Sequence, residues 1–275
     1  MTTADGGGPP PTPGNVASLS FVGTATSVLR LGGLTLLTDP NFLHRGQRVY
    51  LGYGLFSKRR TEPAMQPADL PPLDGVLLSH LHGDHFDRVA RRELGRDLPI
   101  VTTPHAALRL GRWGFEASIP LGTWESHELE RAGERVRITS VPGTHGPGVV
   151  GRLLPPVMGS VVELVRGDTT ALRLYITGDT LFRPELREVC ERFPDLDAMV
   201  IHLGGTRALG ILVTMDDRQG ADMVELLAPP VTIPVHYDDY TVFRSPLSQF
   251  LEEVRRRQLP GEIRTVTRGQ TIALP

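Results

Sequence analysis

The segment Ser-His-Leu-His-Gly-Asp-His-Phe-Asp, residues 79–87, constrains this chain more than any other. It directly follows the apolar run GVLLS at 75–79, which reads as a strand, and precedes a helical stretch. Three histidines and an aspartate fall within six residues here. Burying so many strongly hydrated groups at one strand end costs several kcal/mol unless something pairs with them, and a metal ion supplies that pairing. A tight turn lets His80 and His82 point into the same space and converge on one ion. Asp84 and His85 can then reach a second ion on the other side of the turn. The fold must therefore bring further ligands to this edge.

Three places fit. His145 in VPGTHGP, Asp179 in YITGDT and His236 in IPVHYDD each come at or just after an apolar β run and beside small residues that permit close approach. Five neutral imidazoles and two carboxylates suit zinc and also tolerate manganese or iron, so ligand type does not choose among these, and zinc is the expected metal. Two divalent ions about 3.5 to 4 Å apart need a bridging group, and a carboxylate such as Asp179 can span both. The single cysteine, Cys190, excludes an internal disulfide and a cysteine-built zinc site. It reads as a small buried apolar residue on a helix.

Around these points the chain alternates short β-rich runs with helical ones. Strands are expected at 17–23, 26–31, 34–39, 75–79 and 99–103, the first three as a meander, and again at 135–142, 160–165, 171–179, 197–203 and 231–236. Helices are expected at 104–112, 184–193, 216–227 with an aspartate cap, and 246–257. Hairpins early and strand–helix alternation later predict mixed sheets with helices on their outer faces, an α/β architecture. Residues 1–15, rich in Gly and Pro, read as a mobile tail, leaving 16–275 as one domain without an internal linker. Segments 40–72 and 143–159 fit no regular element and read as functional loops walling a substrate pocket.

Order, spacing and neighbours of these residues resemble the metallo-β-lactamase fold superfamily, marked by H-x-H-x-D-H followed by a His, an Asp and a last His. The resemblance covers roughly residues 18–274. FVGTATSVLRLGGLTLLTDPNF, SHLHGDHFD, TGDT and IPVHYDD are most similar to the subgroup containing L-ascorbate-6-phosphate lactonase and the N-acylphosphatidylethanolamine-hydrolysing phospholipase D. The resemblance implies a four-layer αβ/βα sandwich with the site on one edge. It also implies that His80, His82 and His145 bind the first ion, that Asp84, His85 and His236 bind the second, and that Asp179 bridges them. One departure is Thr24 after Gly23, where relatives in the subgroup often carry a histidine.

Such a site would lower the pKa of a shared water and neutralise charge on the attacked group. The expectation is a binuclear hydrolase using a metal-bridging hydroxide on a small phosphoric ester, phosphodiester or lactone. Asp84 and Asp179 are its catalytic carboxylates, with Asp84 or Tyr237 able to shuttle the leaving-group proton. The alternative is a metal-stabilised binding or scaffolding protein of the same fold. A β-lactamase is disfavoured by the lack of an export signal, an oxygen or nitric oxide reductase by the lack of chain for an electron-carrying domain, and an RNA-processing enzyme by the lack of an inserted arm.

Net charge of -2 gives no global attraction to nucleic acid. No apolar run approaches the roughly 20 residues of a membrane span, and no secretory signal is visible, so a cytoplasmic location is expected. The partner is a small molecule that can be anionic, with homo-oligomerisation left open. Arg45, Arg48, Arg207 and Arg244 could hold an anion, although a solvated charge is the commoner role of a loop arginine. Lys58, Arg59 and Arg60 read as a solvated basic loop, and His44, His105 and His127 as surface or structural histidines. Asp39 is either a carboxylate orienting a ligand imidazole or a turn-forming residue before Pro40. His202 either approaches the site or is a core histidine.

Overall fold

A computed structural model describes residues 17–52, 54–131, 133–208 and 210–275. The expected mobile tail at 1–15 lies outside them. Two seven-stranded sheets dominate. In spatial order the first is Thr271–Ala273, Ser18–Gly23, Thr26–Leu31, Leu34–Thr38, Gly75–Leu77, Ile100–Thr102 and Ser118–Pro120. The second is Glu262–Ile263, Val231–Val235, Ala198–His202, Thr169–Ile176, Gly159–Arg166, Glu134–Val141 and Ser126–Arg131. In each, an antiparallel meander gives way to parallel strands, at Leu34–Thr38 beside Gly75–Leu77 and at Thr169–Ile176 beside Ala198–His202.

Side-chain alternation explains the layering. Leu19, Leu29, Leu36, Leu77 and Val101 point from the first sheet into a shared core with Val136, Ile138, Val162, Leu174, Val200 and Ile233 of the second. Their sequence neighbours face outward: Val28, Leu37, Val76 and Ile100 pack with Ala90, Ala106 and Leu110 from helices Arg88–Glu93 and Pro104–Gly111. Met199 and Ile201 pack with Val189, Met223, Val224, Phe250 and Val254 from helices Arg187–Arg192, Asp217–Leu227 and Leu247–Arg257. The result is the helix–sheet–sheet–helix sandwich anticipated above. No helix among the described residues is long and apolar enough to cross a membrane.

The two segments expected to be irregular contain short elements. Residues 40–72 include the hairpin Arg48–Tyr50 with Phe56–Lys58, and 143–159 include the helix Gly148–Leu153. Val49, Leu51 and Leu43 anchor the hairpin by packing on Tyr240 and Phe243. The strand expected at 171–179 ends at Ile176, so Gly178 and Asp179 stand beyond it. That early stop aims the aspartate into the site.

Candidate metal centre

Strand ends build this centre. The parallel strands Leu34–Thr38 and Gly75–Leu77 end side by side. Asp39, just past the first, turns through φ 36° and accepts hydrogen bonds from the Ser79 amide at 2.8 Å and the Ser79 hydroxyl at 3.0 Å. At the far end of the turn, Asp87 caps helix Arg88–Glu93 by accepting from the Val89 and Ala90 amides, both at 2.8 Å. Its other oxygen accepts from the Phe42 and Leu43 amides at 2.6 and 2.7 Å. Residues 79–87 are thus pinned at both ends. Gly83 in the middle is required by space: a Cβ there would lie 2.5 Å from Val49 Cγ2 and 2.6 Å from the Tyr50 carbonyl oxygen.

His80, His82 and His145 meet first. His80 Nε2 lies 3.0 Å from His82 Nδ1, which lies 3.2 Å from His145 Nε2. The Nδ1 of His145 donates to the Val213 carbonyl at 2.9 Å, leaving Nε2 as the lone-pair atom of the neutral ring. Burial, followed by the neighbouring histidines, holds His80 well below its ordinary pKa and pulls His82 down to about 3. Burial also lowers His145. Three neutral imidazoles therefore turn ring nitrogens toward one another.

Asp84, His85, Asp179 and His236 form a second buried group, with one ligand atom from each within 4.8 Å of the others. His85 Nε2 is 3.2 Å from Asp179 Oδ2, His236 Nδ1 is 3.5 Å from Asp179 Oδ1, and His236 Nε2 is 3.5 Å from Asp84 Oδ2. Burial pulls His85 down, but Asp179, Asp39 and Asp84 outweigh it and hold the ring well above its ordinary range. Burial likewise pushes Asp179 up, and His236 and His85 outweigh it, so the carboxyl stays ionised. Behind this group, His85 Nδ1 lies 3.1 Å from Asp39 Oδ2, and His202 Nε2 lies 3.5 Å from the same oxygen. Asp39 therefore faces an imidazole of the cluster as well as shaping its turn, and His202 is a buried histidine that reaches this carboxylate.

Whether the arrangement fits metal can be judged from its polar atoms. Asp84 Oδ1, His85 Nε2, Asp179 Oδ1 and His236 Nε2 are buried and have no hydrogen-bond partner among the described residues. The 3.2 to 3.5 Å contacts above are close enough for charge attraction but lack hydrogen-bond geometry. Orphaned buried atoms of this kind cost about 1–3 kcal/mol each, more when charged. On the other side, the ring nitrogens of His80, His82 and His145 converge at 3.0 to 3.2 Å. Cations would partner the orphaned atoms of the one group and find three converging imidazole donors in the other, so the residues fit divalent ions.

A cavity of about 1190 Å³ opens onto His82 and His145. Both loop segments wall it, through Tyr50 and Gly52 on one side and Gly143 to Val157 on the other. Leu81, Phe86, Trp113, His105, Arg109 and Arg152 complete much of the lining. Arg45, Arg48, Arg207 and Arg244 do not line it. Tyr237 packs against the helix-side core, where burial, reinforced by Asp238, raises its hydroxyl to about 12. His127 sits in strand Ser126–Arg131 rather than a loop, and exposed His44 pairs with Glu62 at 2.9 Å. His105 and Arg109, four apart on helix Pro104–Gly111, share one face. Sequence could have flagged that pair, but not which face meets the cavity.

Arg59 also departs from expectation. Lys58 and Arg60 are exposed, but Arg59 is fully buried. It donates to the side chain of Asn41 and, at 3.2 Å, to the Asn41 and Thr61 carbonyls, and lies 3.6 Å from Asp239 Oδ1. Asp239 in turn accepts from the Thr24 amide at 2.8 Å, and the Thr24 carbonyl accepts from the His236 amide at 2.8 Å. This chain of contacts fixes the backbone of His236, whose φ is 62°.

A family model described as β-lactamase superfamily domain matches residues 34–237. A protein of Deinococcus radiodurans named UPF0173 metal-dependent hydrolase is 27% identical over 204 residues, covering 72% of this chain and 79% of its own. Among solved structures, a possible metal-dependent hydrolase from Veillonella parvula superposes with a TM-score of 0.78 at 21% identity, covering 94% of this chain and 100% of that one. An isothiocyanate hydrolase from Delia radicum gut bacteria superposes with a TM-score of 0.75 at 22% identity, covering 94% and 98%.

Proposed function

This chain belongs to the β-lactamase superfamily, and from that premise we propose that it is a hydrolase dependent on two divalent metal ions, zinc in the first instance. The observation that carries the reading is the pair of donor groups, His80–His82–His145 and Asp84–His85–Asp179–His236, the second fully buried and with ligand atoms left unpartnered. The names of the metal-dependent hydrolases similar to it support the same reading. In this proposal His80, His82 and His145 would hold one ion, Asp84, His85 and His236 would hold the other, and Asp179 would contribute to both. Manganese or iron would also suit these donors.

Bound ions would supply Lewis acidity and make water at the site more acidic. The chain's own groups do the rest. His82 and His145, which face the cavity, set where the scissile bond must lie. Burial pushes the Asp84 carboxyl up, but His85 and His236 outweigh it and leave the group ionised, with Oδ1 free to take a proton and return it to the leaving group. Asp39 holds the His85 ring from behind. Leu81, Phe86, Trp113 and Val157 keep water from the cavity wall. A small phosphoric ester, phosphodiester or lactone is the proposed substrate. The likeness of SHLHGDHFD, TGDT and IPVHYDD to the ascorbate-6-phosphate lactonase and phospholipase D subgroup supports it.

The test is turnover by zinc-loaded protein of bis(p-nitrophenyl) phosphate, a set of lactones and an aryl isothiocyanate. At least one should be hydrolysed, with activity lost on chelation and restored by zinc. Two tightly held ions without turnover of any of them would overturn the hydrolase reading in favour of a metal-stabilised binding protein.

A further inference from the structure

The wall of the cavity divides into two chemistries. Leu81, Phe86, Trp113, Leu154 and Val157 give an apolar surface beside His82 and His145. Exposed Tyr50 and Leu153 carry it outward to the surface. Against this stand Arg109 and Arg152, both exposed, from helices Pro104–Gly111 and Gly148–Leu153. Neither arginine has an ion pair or side-chain hydrogen bond among the described residues, and no aspartate or glutamate among them lines the cavity. His105, in the turn before Arg109, has a buried Nδ1 without a partner. Burial, then the charge of Arg109, lowers its pKa, so the ring is neutral and can donate or accept. A cationic mouth over an apolar wall is poorly suited to a cation or to a fully polar ligand. At about 1190 Å³ the space exceeds the roughly 300–1,000 Å³ of ordinary small-molecule sites, leaving room for a body as well as a head group.

We infer that the cavity selects substrates with an apolar body and a carboxylate or phosphate remote from the bond that is cleaved, the anion being held by Arg109 and Arg152 with His105 beside them. Guanidinium groups match both anions as planar forks. The inference rests on the reading of His82 and His145 as the reacting end of the cavity. It moves anion recognition from the four loop arginines that sequence suggested to two helix arginines.

Calorimetric titration of the metal-replete protein with decanoate, decyl phosphate, decanol and decyltrimethylammonium tests it without needing turnover. One or both anions should bind about 10- to 100-fold more tightly than decanol, the scale of one or two charge-assisted hydrogen bonds, and the ammonium compound more weakly than decanol. The relative affinity of the two anions tells carboxylate from phosphate. Arg109→Gln with Arg152→Gln should bring the anions down to the affinity of decanol while decanol itself is unchanged. Because bound metal can also attract an anion, the titration is repeated after chelation, where the arginine-dependent preference should persist. Equal affinity for decanol and both anions, no binding of any of the four, or a preference that survives the double substitution or vanishes with the metal would each overturn the inference. Loss of the hydrolase reading with the arginine-dependent preference intact would leave the anion site standing and remove only its placement relative to a cleaved bond, so the two failures are distinguishable.

Discussion

Asp179 has one carboxylate oxygen 3.2 Å from His85 and the other 3.5 Å from His236, residues carried by different strand ends. Both contacts lie within the second donor group, while the charge of the carboxylate also acts on His80 of the first, and on the proposed reading it serves both ions. Its removal, in Asp179→Ala, should loosen one ion and lower turnover by several orders of magnitude, each factor of ten being about 1.4 kcal/mol of barrier. The chain should stay folded, because one residue at the strand-end edge contributes little to a core of this size and its loss removes a buried charge once the ion has gone. Circular dichroism, metal content and rate measured on one sample would check this, and near-normal turnover with two ions bound would remove Asp179 from the bridging role. The clustering of His80, His82, Asp84 and His85 was legible in sequence because all four lie in one turn, and the convergence of His145, Asp179 and His236 because each follows an apolar run. The burial of Arg59 was not. Its partners Asn41 and Asp239 are 18 and 180 residues away, and nothing local separates it from its exposed neighbours Lys58 and Arg60.

At the scale of elements, Arg59 ties the hairpin-bearing segment 40–62 to the turn after His236. Arg59→Ala would leave Asp239 with Arg268, 3.0 Å away, as its remaining cationic partner. The loss should therefore fall near the lower end of the roughly 3–5 kcal/mol expected for breaking a buried pair. Denaturant unfolding of the metal-free protein would measure it, and a change under about 1 kcal/mol would show that the segment is held by its apolar contacts alone. The longer strands and the helices at 217–227 and 247–257 were readable from apolar period and, for the first, the Asp216 cap. Ser126–Arg131 was missed because it is an edge strand whose alternation is of charges, with Glu128 pairing to Arg137 at 2.7 Å, so no apolar period marks it. Helix Gly148–Leu153 was hidden by its glycines, poor helix formers, and by Pro147 before it.

For the molecule as a whole, two sheets that each change from antiparallel to parallel put several strand ends at one edge, and the seven donor residues come from those ends or the turns beyond them. Ions bound there would join the two sheets and so be linked to folding. At a metal concentration 100 times the dissociation constant the linkage amounts to about 2.7 kcal/mol per site. At roughly 2–4 °C per kcal/mol for chains near this size, chelation should lower the melting temperature by at least about 5 °C. A scan with and without chelator checks it, an unchanged midpoint being the contrary result. Two ions at these seven side chains would be seen by anomalous diffraction at the zinc edge from crystals of zinc-loaded protein. Two peaks per chain about 3.5–4 Å apart are expected, one among His80, His82 and His145, the other among Asp84, His85 and His236, with Asp179 in contact with both. A single peak at full zinc occupancy, or a pair elsewhere in the molecule, would contradict the two-ion reading.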